Sequence, residues 1–168
     1  PRRSHVEHGA WAGGNSMSTP AVFLIQNALV TLLDAALASS IIIDRASNEP
    51  VADSEIPAVV VNPGDQSYFE FDLSTTGHNA EFGLDIYERK TIAKSISRMQ
   101  QDTIALIVAA LAADPTLGGM VQTMEPQSAS SPDGNSADIG SVTLTIRIDY
   151  FTPRGDFNTI IGQSGLFT

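Results

Sequence analysis

One stretch constrains this chain more than any other. From Ser141 to Tyr150 the residues alternate without a break. Val142, Leu144, Ile146, Ile148 and Tyr150 point one way, and Ser141, Thr143, Thr145, Arg147 and Asp149 point the other. Side chains on a strand alternate between faces with period two, so this pattern requires a sheet with one face in a core and one outside it. Just upstream, the apolar helical run Ile104–Ala113 stops abruptly at Asp114-Pro115-Thr116-Leu117-Gly118-Gly119. Helix, stop, strand, polar loop and long strand together predict helices packed on a sheet.

With 168 residues the chain is long enough for one domain with a sizeable core. Its formal charge of −10 argues against gripping nucleic acid, because affinity for a phosphate backbone comes from Lys and Arg. An acidic wall does, however, suit nucleic acid that must pass without sticking. The absence of cysteine excludes disulfides, Cys-ligated metals and thiol nucleophiles. The run Ile104–Ala113 is too short to span a bilayer, and Arg2 and Arg3 have no apolar segment behind them to make a secretory signal.

Residues 1–16 lack any period and read as a disordered arm or an upstream extension, with Met17 as the natural start. His5 and His8 lack a third ligand. A first helix is predicted from Pro20 to about Leu37, with Ser18 or Thr19 as N-cap and Pro20 at the first helical position. Val22, Ile25, Leu29, Leu32 and Ala36 form its stripe, and Phe23, Val30 and Leu33 widen it; Gln26, Asn27, Thr31 and Asp34 are its polar positions. So apolar a helix is buried on more than one side. Residues 44–55 read as an acidic loop. Ala58–Val61 reads as a short strand stopped by a type II turn at Asn62-Pro63-Gly64-Asp65. The next strand should carry Phe69, Phe71 and Leu73 inward, and a third should bury Phe82, Leu84 and Ile86. A second helix is predicted over Thr91–Ala113, with Ile92, Ile96, Met99, Thr103, Leu106, Ile107, Ala110 and Leu111 on its broad face. Pro115 ends it by disfavouring a helical Asp114. A fourth strand, Met120–Met124, and a loop, 125–140, lead to the long last strand. The fold class is therefore α+β, a two-layer sandwich of a mainly antiparallel sheet with two helices on one face. The core domain runs over 17–152, and 153–168 is a C-terminal tail that a partner could order.

Catalytic chemistry finds no footing. The sole histidine outside the arm, His78, sits in Thr-Thr-Gly-His-Asn-Ala, which reads as a surface loop, and no G-x-S-x-G elbow exists. Asp133-Gly134-Asn135 with Asp138 reads as a hairpin loop rather than a cation site. Gly118-Gly119 lacks the Lys and Ser/Thr of a phosphate loop. No catalytic residue, metal ligand or cofactor is assigned, and the chain reads as a part that assembles rather than an enzyme.

The elements resemble a known family in their order and wording: the tail terminator, or tail completion, proteins of long-tailed phages and phage-derived gene transfer agents. The landmarks are TPAVFLIQNALVTLLDAAL, IPAVVVNPGD, FGLDIYERK, ALAADPTLGGMVQTME and SVTLTIRIDYFTP, together covering about Ser18 to Thr152. DPTLGG followed by an amphipathic strand ending in Tyr is the most specific. The resemblance implies a structural virion protein that assembles with itself as a ring, usually a hexamer. Such a ring caps the tail tube at the head–tail junction, is assembled in the host cytoplasm, and meets the major tail tube protein and a neck or head-completion protein while DNA passes without specific binding. No membrane partner is implied. The candidate assembly-interface residues are Asp44, Arg45, Glu49, Asp53 and Glu55 in the acidic loop, Arg147 and Asp149 on the polar side of the last strand, and Arg154 beyond it. The alternative reading is a small ligand-binding or regulatory α+β module.

Overall fold

A computed structural model describes residues 19–45, 51–131 and 138–165. The expectations for residues 1–16, for Ser18 as a cap, for Glu49 and for Asp133-Gly134-Asn135 lie outside the described residues. The elements are α1 (Ala21–Ala36), β1 (Ile42–Arg45), β2 (Ala58–Glu70), β3 (Thr75–Arg89), α2 (Ile96–Ala113), β4 (Thr123–Ser130) and β5 (Ile139–Pro153). One five-stranded sheet has the order β1-β2-β3-β5-β4, antiparallel except for the β1–β2 pair. Both helices lie on one face, which is the α+β sandwich that the pattern predicts.

The long alternating strand sits beside the centre of the sheet. Val142, Leu144, Ile146, Ile148 and Tyr150 are buried, and their alternates are half-exposed. Phe82, Leu84 and Ile86 of β3 pair with Ile146, Leu144 and Val142 on the same face and are fully buried. Helix α1 covers the β1–β2 side through Ala21, Ile25, Leu29 and Leu33, one ladder at i, i+4 spacing. Fully burying such a Leu or Ile contributes roughly 1.5–3 kcal/mol. The stripe expected at Val22, Leu32 and Ala36 is therefore turned: Val22 and Leu32 are half-buried and Ala36 is exposed. Gln26 is buried despite its polarity, because its Nε2 donates to the carbonyl of Val61 at 2.7 Å. The helix also starts differently. Pro20 is itself the N-cap and no side chain caps the helix; the Ala21 N–H donates instead to the carbonyl of Phe157, 2.8 Å away in the C-terminal segment.

The β2 region departs most from expectation. There is no turn at Asn62-Pro63-Gly64-Asp65. Strand β2 runs through it as one strand, with a bulge between Pro63 and Gln66. Opposite β3, Pro63 pairs with Phe82 and Gln66 with Ala80, so three steps on β2 meet two on β3. The extra residue inverts which side chains face the helices. Val59 and Val61 face the core before the bulge. After it, Tyr68 takes the helix side, while Phe69 and Phe71 emerge on the far face, 43% and 52% exposed, with Leu73 at 87%. Their expected inward placement fails for this reason. Phe69 lies across Gly77, where any Cβ would stand 2.2 Å from its ring.

Other boundaries shift by local chemistry. Asp44 and Arg45 join the sheet in β1 rather than opening the acidic loop. Helix α2 begins at Ile96, not Thr91. Ser95 caps it by accepting from the Arg98 N–H at 3.4 Å, and Thr91 Oγ1 accepts from the Lys94 N–H in a preceding turn. Ile92 is thereby left fully exposed, and Leu106 is half-exposed. Strand β4 begins at Thr123 and extends to Ser130, so the loop expected from 125 yields its first residues to the sheet. Beyond Pro153, expected to wait for a partner, the described residues fold back on their own chain: Ile161 bridges to Phe151, and the Gln163 N–H donates to the Gly119 carbonyl at 3.0 Å.

Candidate assembly surface

His78 is the first site residue that the structure relocates. It lies within β3, 1% exposed, not in a surface loop. Its register partner is Tyr150, and the two rings stack at 4.4 Å and 14°. Tyr68 and Phe157 meet the imidazole edge-on at 5.1 and 5.0 Å. One ring nitrogen, Nε2, lies 2.8 Å from Thr152 Oγ1, and Nδ1 is buried without a partner. Burial holds the imidazole pKa below its usual value and, with the nearby Tyr68, pushes the Tyr150 phenol up to about 12. The cluster is a packed joint between β2, β3, β5 and the C-terminal segment. Among the described residues no carboxylate bonds the histidine, and its hydroxyl partner Thr152 is fully buried, so the pair satisfies a polar contact inside the packing.

The open face of the sheet carries a ladder of cross-strand polar pairs. Asn62 Nδ2 donates to Asp85 Oδ2 at 2.6 Å, and Thr143 donates to Asp85 Oδ1 at 2.5 Å. Asn79 Nδ2 donates to Asp149 Oδ1 at 2.6 Å, and Thr123 to Asp149 Oδ2 at 3.2 Å. Arg147 bonds Glu125 at 3.1 Å, and its Nε approaches Asp149 at 3.6 Å. The depression beside these groups, of about 500 Å³, is open and polar, lined by Asp65, Gln66, Ser67, Asn79, Glu81, Arg147 and Asp149. Among the described residues no group of three or more His, Asp or Glu is arranged to hold a metal.

The candidate interface residues do not converge. Asp44 is exposed on the edge strand β1, next to Arg45. Asp53 and Glu55 lie in a 3-10 turn. There Glu55 accepts from the Ala52 N–H at 2.7 Å, and Arg89 approaches Asp53. Arg147 and Asp149 stand on the open sheet face. Arg154 sits at the β2–β3 hairpin, 3.1 Å from Glu70. The Arg89–Asp53 and Arg154–Glu70 pairs are exposed, and such pairs contribute about 0–1 kcal/mol each. The candidates fall at four separate places rather than on one patch.

Sequence reasoning missed the apolar surfaces, which need the tertiary fold to be seen. At the hairpin, Phe69 and Phe71 pack on Phe151, with ring centroids 6.3 and 4.6 Å apart, and their outer sides are bare. On the opposite layer the outer side of α2 exposes Ala105, Leu106, Val108, Ala109 and Ala112. No described helix is long and apolar enough to cross a membrane.

No family model matches the sequence, and no curated protein matches it. Among solved structures, it is similar to a chain of the virion of a native gene transfer agent particle. The two are 15% identical with a TM-score of 0.40, over 83% of this chain and 98% of that one.

Proposed function

We propose that this chain is a structural virion protein of a long-tailed phage or phage-derived particle. In this reading copies of the chain form a ring that closes the tail tube and joins it to the head or neck. The observation that carries the reading is the DPTLGG landmark followed by the terminal amphipathic strand. In this landmark the Asp114 carboxylate accepts from the Gly118 N–H at 2.8 Å, and Leu117, Gly118 and Gly119 take φ of 48°, 67° and 86° to turn the chain toward β4. The apolar surfaces left bare on both layers support a protein that assembles. The acidic residues Asp44, Glu49, Asp53 and Glu55 are then candidates to meet a basic partner or to line a passage that DNA crosses without binding. Arg147, Asp149 and Arg154 are candidates for contacts between subunits or to the tube. The depressions beside Asp65 and Asp149 and beside Leu24 and Ile160 are open to solvent, which favours the assembly reading over a ligand-binding module.

The test is to image particles from the source strain with an antibody against this chain, and to repeat the imaging on particles made without it. The expected result is label at the head–tail junction, and tubes of irregular length or free of heads when the chain is absent. Normal, complete particles lacking the chain would overturn the reading.

A further inference from the structure

We infer that copies of this chain join head to tail, with the β2–β3 hairpin of one copy seated on the outer face of α2 in the next. The inference rests on the ring reading and specifies the contact that would build the ring.

Two observations identify the occupant as a second copy. The first is that each surface supplies what the other lacks. The hairpin presents aromatic and aliphatic side chains, Phe71 at 52% and Leu73 at 87% exposed. Between 65 and 73 it carries Asp65, Glu70 and Asp72 and no basic residue, and Arg154, which pairs with Glu70 there, leaves the hairpin acidic on balance. The α2 face presents Leu106, 50% exposed, and Val108 among small alanines that allow close approach. From 90 to 113, Lys90, Lys94 and Arg98 face only one acid, Asp102, and Lys94 and Arg98 remain 53% and 71% exposed. In a chain of net charge −10 this is an uncommon basic stretch, and it flanks an apolar strip. Apolar contact at the centre with opposite charges at the rim is the anatomy of a specific protein interface.

The second observation is placement. The bulge in β2 puts Phe69 and Phe71 on the sheet face away from the helices, so the hairpin cannot reach α2 of its own chain. Two different patches on opposite layers make a heterologous contact, which propagates and closes into a ring when the rotation permits. The competing route, edge-to-edge pairing of sheets, is blunted at both edges: β1 has four residues, and β4 carries Pro126 at a bulge.

The test uses the full chain, with its mass distribution measured over a range of concentrations by sedimentation and mass photometry. One variant carries Phe71→Ser and Leu73→Ser, a second Leu106→Ser and Val108→Ser, and a third Lys94→Glu and Arg98→Glu. All six positions are exposed, and circular dichroism melting checks that each variant folds. The wild type should form species larger than a dimer. Each variant should associate at least about tenfold more weakly, as loss of an interface centre does. Mixing the first two variants should restore a single intact contact, giving one-to-one pairs and nothing larger. Wild-type rings with variants that assemble as well as the wild type would overturn this interface and leave the ring reading standing. A wild type that stops at dimers would overturn the head-to-tail arrangement. A wild type that stays monomeric at every concentration and is absent from particles would overturn both.

Discussion

At position 78 the surroundings accept a neutral imidazole and penalise a charged one. The ring is stacked on Tyr150, closed in by Tyr68 and Phe157, and has a buried Nδ1 with no acceptor beside it. An unfolded chain protonates its histidine near 6.5, whereas the folded chain resists until the pH is lower, because burial depresses the pKa. Below about 6.5 the unfolded state therefore binds more protons and stability falls with pH; above it the contribution is complete and flat. Denaturant unfolding from about pH 7.5 down to pH 5.5 should show this loss of stability. A His78→Phe variant should have a flatter profile over the same range. An equal slope in the variant would place the titrating group elsewhere.

At the scale of elements, the exit from α2 depends on backbone conformation more than on side-chain contacts. Asp114 holds the turn by accepting from the N–H groups of Thr116 and Gly118, and three consecutive residues take positive φ. Leu117 tolerates this because its side chain is buried in the core, 8% exposed. An added Cβ at Gly118 or Gly119 would touch nothing within 4 Å, so the penalty there is conformational rather than steric. Gly118→Val or Gly119→Val should each destabilise by roughly 1 kcal/mol or more, since a β-branched residue strongly disfavours this region. Thermal melts read the effect, and unchanged melting temperatures in both variants would show that the turn relaxes without cost.

For the whole molecule, the C-terminal segment and the β4–β5 connection decide what is left for partners. The Phe157 carbonyl caps α1, and the Phe157 ring stacks on Tyr68 at 5.3 Å, so this segment is tied to its own chain. The loop between β4 and β5 is shorter than the sequence suggests, because Ala129 and Ser130 pair with Leu144 and Thr143. Deleting 129–137 would cut into the sheet and confuse folding with assembly. Replacing 132–137 with a Gly/Ser segment of equal length avoids that. If the loop meets the tube or the neck, the replacement should leave the melting temperature unchanged and lower the yield of complete particles. Full infection or transfer with the replacement in place would remove the loop from the assembly surface.

The sequence alone determined the layers of this protein. Alternation in β5 and the burial of Phe82, Leu84 and Ile86 follow from period-two patterning, and Asp114-Pro115 with two glycines marks a helix end through backbone sterics. These are local rules, and each residue's neighbours in the chain suffice to apply them. Tertiary structure decided what depends on pairing across strands. The bulge after Pro63 is visible only as a register against β3, yet it sends Phe69 and Phe71 outward. Gln26 reads as solvent-facing until the Val61 carbonyl is found beside it. His78 reads as a loop residue because Gly77 and Asn79 are turn-formers, and only its partner Tyr150 fixes it in a strand. Arg147, Asp149 and Arg154 could be named from their polar positions, but their separation onto distinct surfaces could not, because chain order carries no information about which faces a fold leaves bare.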